Sequence, residues 1–195
     1  MKNEIADCFP ARRLWSLEEF ERAGELDLFG PDERLELIGG EIFVKPKQSP
    51  LHATAIGLAT RCLYPIFVDG VHLRVQTPLN LVDSQPEPDL TVVAGQIHDY
   101  ARQHPTSAVL TVEVADLTLA FDRTTKASLY ARSGIEDYWI INVIDQILEV
   151  YRDPAPLSGY PFGYFYHSVT TYPDTAFIAP LVAPDHEIPV ADLLP

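Results

Sequence analysis

Acidic residues placed where acids are costly are the most informative feature of the chain. Glu113 lies in the middle of Val109-Leu110-Thr111-Val112-Glu113-Val114-Ala115. That nearly unbroken β-branched run, Ala108 to Ala115, is the mark of a strand buried on both faces. A carboxylate there needs a partner, a proton or a metal. Glu87 and Asp89 stand two apart at the start of another strand, so both project from one face. If the two strands are neighbours, Asp89 and Glu113 converge at one end of a sheet. Two or three carboxylates with room for water make the oxygen-rich site that Mg²⁺ (or Mn²⁺) prefers. Such an ion polarises a phosphoryl oxygen and supplies hydroxide near neutral pH. On the following helix Asp122, Lys126, Leu129 and Tyr130 share a face at spacings of three and four. A lysine at that point orients the attacking water or neutralises charge developing on phosphate. Asp89, Glu113 and Lys126 thus read as a phosphodiester-hydrolysing centre, with Glu36 as an outer carboxylate.

Each of these residues also has a plainer reading. Glu113 could pair with a buried Arg or Lys, since structural ion pairs of that kind are common. Asp122 and Lys126 by themselves read as an exposed i,i+4 pair, worth only about a few tenths of a kcal/mol. Pro88-Asp89 alone marks a loop or strand entry, and His52 reads as a capping or half-buried histidine. Trp139 in Tyr138-Trp139-Ile140-Ile141 reads as core. The combination carries the argument, and other chemistries are missing. There is no Gly-rich phosphate loop, no Gly-x-Ser-x-Gly elbow and no zinc spacing among the six histidines.

The elements that must hold these side chains can be read in order. Ser16 and Glu19 form a capping-box pattern that opens a helix over Leu17 to Leu26. Arg34 to Ile38 and Glu41 to Lys45 flank Gly39-Gly40, a strong hairpin signal that sets Glu36 opposite to Leu35 and Leu37. Pro50 opens a helix running to about Val68, with Ala55, Leu58, Ala59, Cys62, Leu63 and Ile66 on its buried face. Strands are predicted over His72 to Leu81, Glu87 to Ala94, Ala108 to Ala115, Asp137 to Val143 and Ile147 to Arg152. Ile97 to Gln103 reads as a weak helix, and Asp122 to Arg132 as a helix stopped by Gly134. From Pro154 onward prolines alternate with aromatics such as Tyr160, Phe162, Tyr164 and Phe165, and irregular strands packed on the core are expected there. The predicted class is α/β or α+β with a mixed central sheet.

Composition bounds the function. The chain has 195 residues, 47% of them apolar, enough for one domain with a sizeable core and too few for two. Lys and Arg number 14 against 28 Asp and Glu, a formal net charge of −14. A surface so acidic repels nucleic acid and anionic membrane unless a bound cation or a local basic face intervenes. Cys8 and Cys62 form no Cys-x-x-Cys pair and no disulfide framework, which favours a reducing, cytoplasmic setting. Residues Met1 to Arg13 carry no apolar core of signal-peptide type, and no stretch has the length of a membrane span.

Taken together, these motifs resemble the Uma family, a branch of the restriction-endonuclease-like superfamily with the PD-(D/E)XK active site. The resemblance rests on Trp15-Ser16-Leu17-Glu18-Glu19-Phe20, Leu35-Glu36-Leu37-Ile38-Gly39-Gly40-Glu41, Ser49-Pro50 with His52, Glu87-Pro88-Asp89-Leu90 and Val112-Glu113-Val114-Ala115. Asp122, Lys126, Tyr130, Gly134-Ile135 and Tyr138-Trp139-Ile140 complete it. It implies a restriction-endonuclease-like mixed central sheet flanked by helices. One domain is then expected over 1–195, with a core of about 14–152 and a C-terminal extension over 153–195. It implies Asp89 and Glu113 as metal ligands, Lys126 as the superfamily lysine moved from strand to helix, and Glu36 as the acid of the first motif. Ala115 stands where the usual superfamily lysine would be, which fits that migration. Asn142 departs from the aspartate of many members and is expected outside the site.

Two functions of different class follow. The first is a Mg²⁺-dependent endonuclease acting on DNA, opposed by the net charge and by the lack of a Lys/Arg stripe. A homodimer that assembles one basic cleft would be one way to meet that difficulty. The second is a catalytically silent interaction module that keeps the nuclease fold, since fold does not dictate function. Hydrolysis of small phosphoesters ranks third.

Overall fold

The computed structural model describes residues 11–67 and 70–195. Helix α1, Leu17–Glu25, starts with a complete capping box: the Ser16 hydroxyl accepts from the Glu19 N–H, and the Glu19 carboxylate accepts from the Ser16 N–H. Strands β1, Leu35–Ile38, and β2, Glu41–Val44, form the expected hairpin, paired antiparallel with Ile38 opposite Glu41. Gly39 and Gly40 both have positive φ, 59° and 79°, as a two-residue turn of this hand requires. The hairpin stays apart from the main sheet. Helix α2, Pro50–Leu63, is capped by the Ser49 hydroxyl with proline in its first turn. It ends before the expected boundary at Val68, which lies outside the described residues.

The main sheet has six strands. They are β3 Val71–Val75, β4 Leu90–Ala94, β5 Leu110–Ala115, β6 Asp137–Asn142, β7 Ile147–Pro156 and β8 Tyr164–Pro173, in that spatial order. Only β5 and β6 run parallel. Their crossover is α3, residues 119–132, which packs against the sheet. β9 Phe177–Ile178 and β10 Ile188–Pro189 make a small separate ladder. The region after Pro154 is more regular than expected, because β8 is a ten-residue strand hydrogen-bonded along β7. Pro154 and Pro156 are tolerated in β7 because its pairing with β6 ends at Arg152, leaving their missing N–H groups off that ladder. The strand expected over 72–81 is shortened to β3, and the weak helix expected after it is a single 3₁₀ turn, Ile97–Tyr100. The result is a mixed α/β fold with a mixed central sheet, few helices and additional C-terminal strands.

Alternation along β5 sorts side chains to two cores. Leu110, Val112 and Val114 face α2, where they meet Ala55, Ile56, Ala59 and Leu63 with Trp139 from β6. Ala115 faces the opposite way, into a core with Leu129, Tyr130 and Ala131 of α3 and Tyr138 of β6. The helix face predicted on α2 is largely right, with Ile56 buried where Leu58 was expected. Thr111 shares the α3 side by the same alternation, and its hydroxyl is buried without a hydrogen-bond partner among the described residues. Thr111→Val removes that hydroxyl at constant shape and is expected to raise stability by about 1 kcal/mol. A urea melt with a lowered midpoint would show that the hydroxyl is satisfied in solution.

Candidate active site

Glu113 follows the same alternation onto the α3 side, so the strand that must be apolar to fill the core also projects a carboxylate toward a helix. Asp89 reaches the same place from outside a strand. The expected strand 87–94 begins only at Leu90, and its pairing with β5 stops at Leu90 opposite Val112. Pro88 cannot extend that ladder. The next β5 donor, the Val114 N–H, is instead taken by the Asp89 side chain, Oδ2 at 2.9 Å. The two strands thus part at the carboxylate, and the gap between them opens into a cavity. Glu87 does not share this environment; it pairs with Arg34 at the edge.

Lys126 enters from α3, which is not a uniform α-helix. Leu119–Phe121 is an α turn, Asp122–Lys126 winds as a π turn, and Ala127–Arg132 resumes α geometry. The Ala127 N–H donates to Asp122 C=O, the i→i+5 bond of such a bulge. Bulges of this kind recur at functional sites because they re-aim side chains that a regular helix would place elsewhere. The surface-pair reading of Asp122 and Lys126 is overturned: both are buried, at 2% and 4% exposure. Schellman-type closure at Gly134, φ 73°, ends the helix as expected.

The lysine closes the site. Its Nζ donates to Glu113 Oε1 at 2.9 Å and to Glu36 Oε1 at 3.1 Å. Tyr130, one helical turn on, donates its hydroxyl to the same Glu113 oxygen at 2.7 Å. Glu36 also accepts from the Glu87 N–H at 2.7 Å, so it lies inside the cluster rather than at its outer edge. Burial pushes the Glu36 carboxyl up, but Lys126, Lys45 and the Glu87 N–H outweigh it and hold the group below its usual range. Glu113 goes the other way. Burial raises it to about 7 against the pull of Lys126, with Asp89 and Asp122 adding to the rise. Burial likewise raises Asp122 to about 6, opposed by Lys126 and by the Thr118 hydroxyl. Burial disfavours the Lys126 charge, yet Glu113, Glu36 and Asp122 hold its ammonium firmly protonated.

Three further groups belong to the cavity and were not singled out as site residues from the sequence. His52 sets Nε2 at 3.2 Å from Asp89 Oδ1. Asp116, the residue after β5, faces the other side of the His52 ring. Lys45 lies 3.6 Å from both Glu36 and Glu87. His52 and Asp116 could have been suspected from sequence, the first beside Ser49-Pro50 and the second three residues after Glu113. Lys45 carried no signal. Asn142 is buried against Asp145 and Glu149 and does not line the cavity, as expected.

Glu36, Asp89, Glu113 and Lys126 therefore line one cavity of about 160 Å³, joined by Lys45, His52, Asp116 and Asp122, with Phe43 and Phe121 on its wall. Among the described residues no group of three or more His, Cys, Asp or Glu side chains stands ready-made at metal-binding spacing. Mg²⁺ needs fewer, since it keeps several waters and is commonly held by one or two carboxylates. Asp89 and Glu113 fit that requirement. Glu113 Oε2 accepts no hydrogen bond from the described residues, and burial holds the carboxyls of Glu113 and Asp122 above their usual range.

Comparison with known proteins agrees with this architecture. A solved structure titled as a "putative nuclease belonging to DUF820 from Anabaena variabilis" superposes with a TM-score of 0.64 at 17% identity, covering 91% of this chain and 96% of that one. At that identity the likeness speaks for the fold. No curated protein matches the chain. Among the described residues no helix is long and apolar enough to cross a membrane. A family model described as Uma2, "Putative restriction endonuclease", matches residues 17–187, which takes in β8 and β9 as well as every residue of the cavity, and the chain belongs to that family.

Proposed function

We propose that the chain is a divalent-metal-dependent nuclease that hydrolyses phosphodiester bonds of DNA, with Asp89 and Glu113 holding Mg²⁺ or Mn²⁺. The observation that carries this reading is the convergence of Glu36, Glu113 and Lys126, from three separate elements, and Asp89, from the segment just before β4, on one cavity. A structural ion pair needs only two of them. When bound, the cation would polarise the scissile phosphate and lower the pKa of a bound water. The chain's own residues do the rest. Lys126 carries a fixed positive charge at the point where negative charge develops on the phosphate, and Glu36 holds its ammonium from the far side. Tyr130 and Lys126 both donate to Glu113 Oε1, which leaves its other oxygen without a hydrogen bond from the described residues. Arg34, Lys45 and Lys47 line the same cavity, Arg34 paired with Glu87 and Lys45 with Glu36 and Glu87, so they offset only part of the negative charge there.

A silent nuclease-fold module is the second reading. One observation favours it: Lys126 is already paired with two carboxylates. Supercoiled plasmid incubated with Mn²⁺ or Mg²⁺ at low salt separates the two. Nicking by the wild type, reduced at least about 100-fold in Asp89→Asn, is expected of the enzyme. Nicking that survives Asp89→Asn and Lys126→Ala alike would place the activity elsewhere. No nicking, with a melting temperature indifferent to either cation, would establish the module.

A further inference from the structure

Asp89 is held by more of the protein than its place in a cavity wall requires. Oδ2 takes the Val114 N–H, and Oδ1 faces both His52 Nε2 at 3.2 Å and Gln76 Nε2 at 3.3 Å. Gln76 reaches it from a backbone at φ 47°, a conformation that non-glycine residues seldom adopt. His52 is itself braced. The Ser49 hydroxyl accepts the His52 N–H at 3.1 Å as the cap of α2, and donates to Asp116 Oδ2 at 2.7 Å. Asp116 also accepts the Leu117 N–H at 2.6 Å, which leaves Oδ1 at 3.6 Å from His52 Nδ1. The ring, 12% exposed, is thus fixed between two carboxylates at its two nitrogens.

We infer that His52 is a positioning residue for Asp89, with Asp116 and Ser49 as the frame that aims the ring. A free aspartate must give up two side-chain torsions when it takes a cation. One whose carboxylate plane is set in advance by an imidazole and two amide donors loses less. The chain of contacts also ties the start of α2 to the end of β5, two segments whose residues line the cavity. Asp116→Asn should therefore act on Asp89 through His52, without touching it. The inference rests on the cation site assigned to Asp89 and Glu113.

Isothermal titration of the full chain with Mn²⁺ tests it without reference to catalysis. His52→Ala is expected to weaken Mn²⁺ affinity roughly 10–100-fold, the usual effect of removing an outer-shell partner of a metal ligand. His52→Gln, which keeps one N–H donor, should recover part of that loss, and Asp116→Asn should show a smaller one. Pulsed electron paramagnetic resonance of the Mn²⁺-loaded wild type should detect no imidazole nitrogen coupled to the metal. A Kd for His52→Ala within about twofold of wild type overturns the inference, because a purely structural histidine changes stability and not the affinity of the folded chain. A coupled nitrogen that disappears in His52→Ala overturns it differently, by making His52 a ligand. Should His52→Ala fail to fold, His52→Gln and Asp116→Asn carry the same comparison. If wild-type affinity is untouched by Asp89→Asn, the cation site itself is misassigned and this inference falls with it. If affinity depends on Asp89 but not on His52, only the positioning role is lost.

Discussion

Lys126→Ala is expected to destabilise the unloaded chain by about 3–5 kcal/mol at pH 8, the usual consequence of removing one partner from a buried charge cluster. Glu36 and Glu113 both direct Oε1 at the ammonium, and Lys126, Glu36 and Glu113 are each no more than 4% exposed. Alanine would leave two buried carboxylates without their shared counter-charge. Lys45, 3.6 Å from Glu36, could cover one of them in part, but among the described residues no second cation contacts Glu113. The loss should be smaller at pH 5.5. Glu113 titrates at about 7 even with the lysine present, so without it the carboxyl is neutral at that pH and needs no partner. Urea melts at the two pH values make the comparison. A loss below about 1 kcal/mol at pH 8 would mean that water reaches the cluster and screens it. A loss equal at both pH values would mean that Glu113 is not the group left stranded. The paired change Glu113→Gln with Lys126→Met should recover most of the stability while remaining unable to nick plasmid, which separates the lysine's structural role from its chemical one.

The second large effect couples pH to the cation. Glu113 and Asp122 sit at about 7 and about 6 in the folded chain, above their ordinary values of 4.5 and 3.8. Between those limits the folded chain holds protons that the unfolded chain has released, so its stability falls as pH rises through the window. His52 acts in the same direction: burial lowers it, but Asp89, Asp116 and Glu113 raise it further, and its contribution is likewise lost as pH rises through its folded value. His104, lowered by burial and by Arg74, acts in the opposite sense. Carboxylates held below their usual range, among them Asp89, Glu36 and Asp116, contribute fully above about pH 5 and do not alter the trend. The unloaded chain should therefore melt on the order of 5 °C lower at pH 8 than at pH 5.5. Millimolar Mg²⁺ or Mn²⁺ should raise the melting temperature more at pH 8, because a cation and protons compete for the same carboxylates. Scanning fluorimetry with and without chelator reads both effects. A cation-induced rise that is larger at pH 5.5 would show that the carboxylates of this cavity are not the ligands.

Much of this molecule is settled by local sequence. Ser16 with Glu19, Gly39-Gly40, Ser49-Pro50 and Gly134 mark the ends and turns of their elements because capping, positive φ and a missing N–H act over a few residues. A lone acid in the β-branched run around Glu113 could be recognised as exceptional because burial on both faces leaves a carboxylate few options. The order and spacing of such signals was enough to indicate the fold and its family. The tertiary structure decided which options were taken. Whether Asp122 and Lys126 lie on a surface or in a core depends on a π turn, and on what packs over it, since spacing alone is the same in both cases. Glu36 became an inner member because the Glu87 N–H, 51 residues away, and the Lys126 ammonium, 90 residues away, both donate to its Oε1. His52 joined the site through a contact with Asp89, remote in sequence, and Lys45 through one with Glu36 across the β1–β2 hairpin. The regularity of β8 depends on the long ladder that β7 offers it, against the local impression left by prolines and aromatics. Residue types and periodicity determine which groups are expensive to bury; only the assembled chain determines which partner meets each of them, because that is fixed by packing between distant segments.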